Sequence, residues 1–330
     1  MRRRRVAVAL LLAGSLAGGF PAAAAAEDTV AFTIRDPRIT ESSGLARDVA
    51  GRLYWTVNDS GAGGVVYGLE PDGRLRGTFS YRATPTDVEA IAVHGNRLYV
   101  ADIGDNNGDR DVVTVYYFLN PRAAGLTVTY NAYDFRYPDG PHDAETLLVD
   151  NAGRLYLVTK GIKGGIYAAP QAPTRTGTNE LRRVADAPAL VTDGVFLPDG
   201  RSVALLTYGS IQILDAASYR PVASAPVPAA QRQAESLAVS LDGNALLVGS
   251  EGRRSRVYSV PIPAGAAPTP TASTESTATT APSDSGADES DTDSEPTPTA
   301  GRRGTLLAVG LAAVVAVVAG VVVGLARRPG

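Results

Sequence analysis

Five acidic side chains stand at the head of five similar phrases, and no other residues in the chain are better placed to do chemistry together. The phrases read Glu41-Ser-Ser-Gly-Leu-Ala, Glu89-Ala-Ile-Ala-Val, Glu145-Thr-Leu-Leu-Val, Asp193-Gly-Val-Phe-Leu and Glu235-Ser-Leu-Ala-Val. If one structural unit repeats with them, these carboxylates come to surround a single opening. Crowded there they repel one another, so some hold protons or a cation neutralises them. With Asp102 from a nearby loop they make an all-oxygen donor set. Such a set suits Ca²⁺ or Mg²⁺ rather than zinc, and Ca²⁺ is the expected ion. The alternative is that each acid accepts hydrogen bonds from backbone amides of the next repeat and acts as a structural pin.

Composition narrows the rest. The chain has no cysteine and two histidines, His94 and His142. Disulfides, zinc ribbons, cysteine nucleophiles and multi-histidine metal sites are thereby excluded. A net charge of −3 on 31 basic and 34 acidic side chains provides no basic excess for a phosphate backbone, so no nucleic acid is expected as partner. No G-x-S-x-G elbow and no glycine-rich phosphate loop before a helix occurs.

Loops after the second apolar run of each phrase contribute Asn58, Asp59, Lys160, Lys163, Glu251 and Arg253 as candidate ligand-binding residues. Lys160 and Lys163 are the only lysines beside 29 arginines, and a compact ammonium suits an anionic ligand. His142 and Asp143 precede Glu145 in Pro138-Asp-Gly-Pro-His-Asp-Ala-Glu. They are the candidate catalytic pair, with His142 as a proton shuttle or metal ligand and a turn-capping histidine as the alternative. Asp105 to Asp111 has the composition of a calcium loop, but its glycine falls at position 4 and Tyr116 at position 12, which is not the EF-hand pattern.

The elements that must position these groups follow from what comes after each acid. A turn follows each phrase (Ala50-Gly-Arg, Gly95-Asn-Arg, Ala152-Gly-Arg, Asp199-Gly-Arg, Asp242-Gly-Asn), and then a β-rich run such as Leu53-Tyr-Trp-Thr-Val or Leu155-Tyr-Leu-Val-Thr. Apolar runs of strand length between Gly, Asp and Asn turns imply a meander of antiparallel strands. The leading acids are spaced by 48, 56, 48 and 42 residues, the length of a four-stranded propeller blade. The expected fold is therefore all-β, a propeller of five blades. A sixth blade would have to hide between Pro121 and Pro141. The fifth phrase has room for three strands only, so the lone strand near Val30 should complete it and close the ring. In such blades the loop leading into strand one and the loop joining strands two and three open on one face. That loop face carries the candidate residues, and the tight turns lie on the other, the turn face.

The ends set an expected address. Residues 1–26 read as a secretory signal, with Arg2 to Arg5 before an apolar core. The propeller is expected over 27–263, and a Pro/Thr/Ser-rich acidic stalk over 264–304. Residues 305–326 carry no charge, and at 1.5 Å per residue they would cover about 33 Å, enough to cross a bilayer. Residues 327–330 would be a short cytoplasmic tail. The expectation is a single-pass cell-membrane protein with its propeller outside, meeting an extracellular ligand or envelope protein.

The phrase Thr192-Asp-Gly-Val-Phe-Leu-Pro-Asp-Gly200 resembles the strand-and-turn phrase of calcium-dependent propellers of the gluconolactonase and paraoxonase type. Leu98-Tyr-Val-Ala-Asp-Ile-Gly104 resembles NHL-type repeats, and similar openings occur in exported bacterial propellers described as phytase-like or esterase-like. The gluconolactonase resemblance implies one divalent ion at the channel mouth, with Glu41, Asp193 and Asn58 as the matching positions. Asn58 departs from that pattern by lying in a second loop. Two functions remain open: a tethered binding or scaffold module, or a divalent-metal-dependent hydrolase of lactones, esters or phosphoesters.

Overall fold

A computed structural model describes residues 29–59, 63–231 and 233–263. The expected signal, stalk, anchor and tail lie outside the described residues. Among the described residues no helix is long and apolar enough to cross a membrane.

The chain forms strands β1 (Thr29–Thr33), β2 (Ser42–Asp48), β3 (Leu53–Asn58), β4 (Val65–Leu69), β5 (Leu75–Tyr81), β6 (Val88–His94), β7 (Arg97–Asp102) and β8 (Val113–Leu119). It continues with β9 (Leu126–Val128), β10 (Asn131–Arg136), β11 (Ala144–Val149), β12 (Leu155–Thr159), β13 (Gly165–Ala168), β14 (Thr178–Glu180) and β15 (Arg182–Asp186). The last are β16 (Val191–Phe196), β17 (Ser202–Thr207), β18 (Ser210–Asp215), β19 (Pro221–Pro226), β20 (Ala234–Val239), β21 (Ala245–Ser250) and β22 (Arg256–Pro261).

These strands build five antiparallel four-stranded blades: β2-β3-β4-β5, β6-β7-β8-β10, β11-β12-β13-β15, β16-β17-β18-β19 and β20-β21-β22-β1. The N-terminal strand closes the ring as expected, with Thr29 opposite Ser259 and Thr33 opposite Arg256. The stretch Pro121 to Pro141 holds no sixth blade. It supplies β10 to the second blade and β9 to the first, where β9 pairs parallel with β5. In the same way β14 leaves the third blade and pairs parallel with β10 of the second. Each added strand covers an outer edge that would otherwise expose unpaired backbone groups.

The blades are buried on both faces, which is why their second strands read as near-continuous apolar runs. In β12 alternate residues serve different neighbours, because successive side chains point to opposite faces. Leu155 and Leu157 join Tyr99 and Tyr117 of the second blade, while Tyr156 and Val158 join Val203 and Leu205 of the fourth. One apolar cluster fills each of the five blade interfaces, including Leu45, Tyr54, Ala238 and Leu247 where the fifth blade meets the first. Every strand and cluster lies within 29–263, inside one compact unit. Among the described residues the ring of blades closes on itself through β1 and β22, so the five blade interfaces are all formed within 29–263.

Candidate cation site at the channel mouth

The innermost strands β2, β6, β11, β16 and β20 contact one another in a closed circle around the channel. Near its start each carries a β-bulge, where one extra residue is left unpaired and its side chain is re-aimed. The bulged residues are Gly44, Glu89, Glu145, Thr192 and Glu235. The repeat aligned on its acids is therefore out of step with the backbone in two blades. Glu41 lies three residues ahead of its bulge and Asp193 one residue past. At Gly44 a side chain is excluded: φ is +74° and a Cβ would sit 2.9 Å from the Ile91 nitrogen.

Asp193 is committed to backbone. Its Oδ1 accepts from the Gly194 amide (2.7 Å), and its Oδ2 from the Leu237 amide of the next blade (2.6 Å). Burial raises its pKa well above the usual carboxylate range, against the pull of those two amides. Thr192 donates to the Ala234 carbonyl (2.6 Å) and Ser43 to the Glu89 carbonyl (2.8 Å), two further links between blades.

The remaining acids form two groups. In the first, the Lys160 ammonium donates to Glu145 Oε1 at 2.5 Å and sits 5.6 Å from the Tyr208 ring centroid. Tyr208 also acts on Glu235, favouring its charged form. Burial opposes the charge on Lys160, but the field and hydrogen bond of Glu145 outweigh it and raise its pKa. Burial lifts Glu145 to about 7, with Lys160 holding it down, and lifts Glu235 to about 7 in the same way.

The second group is Asp59, Asp87 and Glu89, each of which brings one carboxylate oxygen within 4.8 Å of the other two. No ion pair to a basic side chain is formed by any of the three among the described residues. Burial, then the charges of Glu145, Asp59 and Asp87, push Glu89 up to about 10. Burial and a shared hydrogen bond with Asp87 push Asp59 up to about 7. Asp59 Oδ1 is buried without a hydrogen-bond partner. The close approach depends on Gly104, where a Cβ would lie 2.4 Å from Asp87 Oδ2 and 2.7 Å from Glu89 Oε1. This donor set is all oxygen and converges from two blades, so it fits a hard divalent cation such as Ca²⁺.

The other expected site residues take different places. Asp102 accepts from the Thr86 and Asp87 amides (both 3.0 Å) and pairs with Arg110 at 2.9 Å, which holds the loop that delivers Asp87. Asn58 does the same in the first blade, accepting from the Thr40 and Glu41 amides and donating to the Arg38 carbonyl. His142 and Asp143 are not brought together on one target. His142 Nε2 lies 2.9 Å from Asp139 and 3.0 Å from the Tyr167 hydroxyl, over β13. Asp143 accepts from the Asp105 amide at 2.8 Å. Glu251 is half-buried, and its charge acts on both Asp59 and Glu235. Lys163 and Arg253 are exposed. Asp87 and Tyr208 were not among the residues singled out from sequence. Asp87 had a signal, since Asp87-Val-Glu89 and Asp143-Ala-Glu145 share one spacing; Tyr208 had none.

No protein-family model and no curated protein matches this chain. Solved structures do. A gluconolactonase from Xanthomonas campestris aligns over 69% of this chain and 89% of its own at 14% identity, with a TM-score of 0.43. A luciferin-regenerating enzyme aligns over 68% of this chain and 92% of its own at 12% identity and TM-score 0.40. The β-propeller domain of Cps50 (Swd1) from Myceliophteria thermophila aligns over 68% and 65% at 14% identity and TM-score 0.37. At these identities the likeness concerns the fold alone.

Proposed function

We propose that the chain is a cell-surface, membrane-tethered binding module whose loop face is organised by one Ca²⁺ ion at the channel mouth. The observation that carries this reading is the asymmetry of the mouth. Lys160 already neutralises the Glu145 and Glu235 side, whereas Asp59, Asp87 and Glu89 converge within 4.8 Å with no basic partner. A divalent ion there would be held by side chains of Asp59, Asp87 and Glu89, and it would fix the loops after β3 and before β6 against each other. A binding role is favoured over hydrolysis because the candidate proton carriers are engaged elsewhere: His142 with Asp139 and Tyr167, Lys160 with Glu145.

The test is calorimetric titration of segment 27–263 with calcium, beside Glu89→Gln, Asp59→Asn and Glu145→Gln. One-to-one binding lost in the first two variants, and kept in the third, is the expected result. Flat heats for the parent protein would overturn the cation site. Turnover of lactones, esters or phosphoesters by the calcium-loaded protein would replace the binding role with a hydrolytic one.

A further inference from the structure

The opposite end of the channel has a character of its own. A cavity of about 500 Å³ opens on the turn face, within the usual size range for small-ligand sites. Its wall is built from the far halves of the five innermost strands, where Ala92, Val93, Val149, Val195 and Phe196 line the cavity and are only half-buried, each resting in part on a blade-interface cluster. Half-exposed valines and a phenylalanine in one concave space mark a place that gains from an apolar occupant.

One charge at this mouth lacks a counter-ion. The half-buried Arg47 guanidinium donates to the Ser240 carbonyl at 3.2 Å, and no acidic side chain pairs with it among the described residues. Asp48 lines the same mouth, but its oxygens accept from the Gly51 amide (2.6 Å) and the Trp55 indole (3.1 Å). Burial lowers the Arg47 pKa, a sign that desolvating this cation is not compensated locally. Guanidinium is also the side chain whose fork best matches a carboxylate.

The deep end supplies orientation. The cavity floor includes Ile91, Leu147 and Leu237, each two residues beyond one of the glutamates of the loop-face mouth, and Gly194, next to Asp193. These four lining residues carry no charge and no polar side chain, so an anionic head group finds no partner at that end and one, Arg47, at the other. We propose that the turn-face half of the channel binds an amphipathic monoanion, a medium-chain alkyl carboxylate, with its tail against Val93, Val149, Val195 and Phe196 and its carboxylate on Arg47. This site does not depend on the cation site.

The test uses segment 27–263 and decanoate below its micellar concentration, read by titration calorimetry. Fluorescence of Trp55, the only tryptophan, is a second readout, because its indole bonds to Asp48 at this mouth. Decanol and decyltrimethylammonium are the comparison ligands. The expected result is saturable one-to-one binding of decanoate, at least tenfold tighter than either comparison ligand. Arg47→Met should weaken decanoate at least tenfold and leave decanol unchanged. Val149→Glu, which places a like charge beside the lumen, should abolish decanoate binding at a temperature below its own melting transition, and it decides the matter if Arg47→Met fails to fold. Absence of saturable decanoate binding, equal binding of decyltrimethylammonium, or undiminished binding in a folded variant would each overturn the proposal.

Discussion

Glu89 and Glu145 occupy the same bulge in adjacent blades and are 6% and 4% exposed, yet their surroundings push them to different ends. Glu145 has Lys160 at 2.5 Å and its pKa rises to about 7; Glu89 faces Asp59 and Asp87 and rises to about 10. Burial is the largest cause in both, so the difference comes from the neighbours. The comparison teaches that a repeated acid in a repeated backbone position is not a repeated function. One side of the mouth carries its own cation on a tether, and the other has no basic side chain paired to it among the described residues.

The largest effect should come from removing that tethered cation. Lys160→Met leaves Glu145 buried beside Glu235 with no positive partner, a loss of about 3–5 kcal/mol for a broken buried pair. The sign with pH is fixed by the acid left behind. Without Lys160 the folded-state pKa of Glu145 rises further above its unfolded value. The deficit therefore grows as pH climbs past about 7, where Glu145 ionises in the parent fold and not in the variant, and it is constant below that. Urea midpoints at pH 8 and pH 4 measure this. An equal deficit at both would mean that Lys160 matters through packing of its stem and not through charge.

The same substitution made on the two sides should next give opposite signs. Glu89→Gln removes a carboxylate that the fold holds protonated at a cost, and should stabilise the cation-free protein at pH 8 by about 2 kcal/mol. Glu145→Gln leaves the Lys160 ammonium half-buried on a neutral partner and should destabilise by a similar amount, about 2 kcal/mol. Denaturant melts without calcium read both. Two changes of the same sign would collapse the distinction between the halves.

Much of this was legible in the sequence, for identifiable reasons. Spacing of the leading acids and their Gly-Arg and Asp-Gly turns pointed to five blades, because a four-stranded meander needs a fixed length of chain. The missing fourth strand after Val257-Tyr258 pointed to closure by the strand at Thr29–Thr33. What period counting cannot see is a bulge. One extra residue at Gly44 or Thr192 shifts the register without changing the apolar pattern, so Glu41 and Asp193 looked equivalent to Glu89 and were not. Tyr208 and Lys160 meet only because two loops from neighbouring blades converge, a contact with no local signature. The Arg47 mouth has no local signature for a similar reason. The tight turns look featureless in sequence, while the lumen they frame is made by five separated strands.

The smallest expected effect, a slope of about 1 kcal/mol per pH unit, is also the most specific to the open side. Glu89 keeps its proton in the folded state up to about 10, against an ordinary value of 4.5. Between those values the unfolded chain binds fewer protons than the native one, so stability falls as pH rises; below and above them Glu89 contributes no slope. Asp59, Glu145 and Glu235, each raised to about 7, act in the same direction but finish near neutrality. From about pH 7.5 to 9.5 the difference in slope between the parent protein and Glu89→Gln therefore belongs to Glu89. Saturating calcium should flatten the parent's slope in that window, because an ion bound by the carboxylate releases the proton in the native state as well. It should leave Glu89→Gln unchanged. A calcium-insensitive slope would mean that the proton, and not a metal, is the cation this half of the mouth was built to hold.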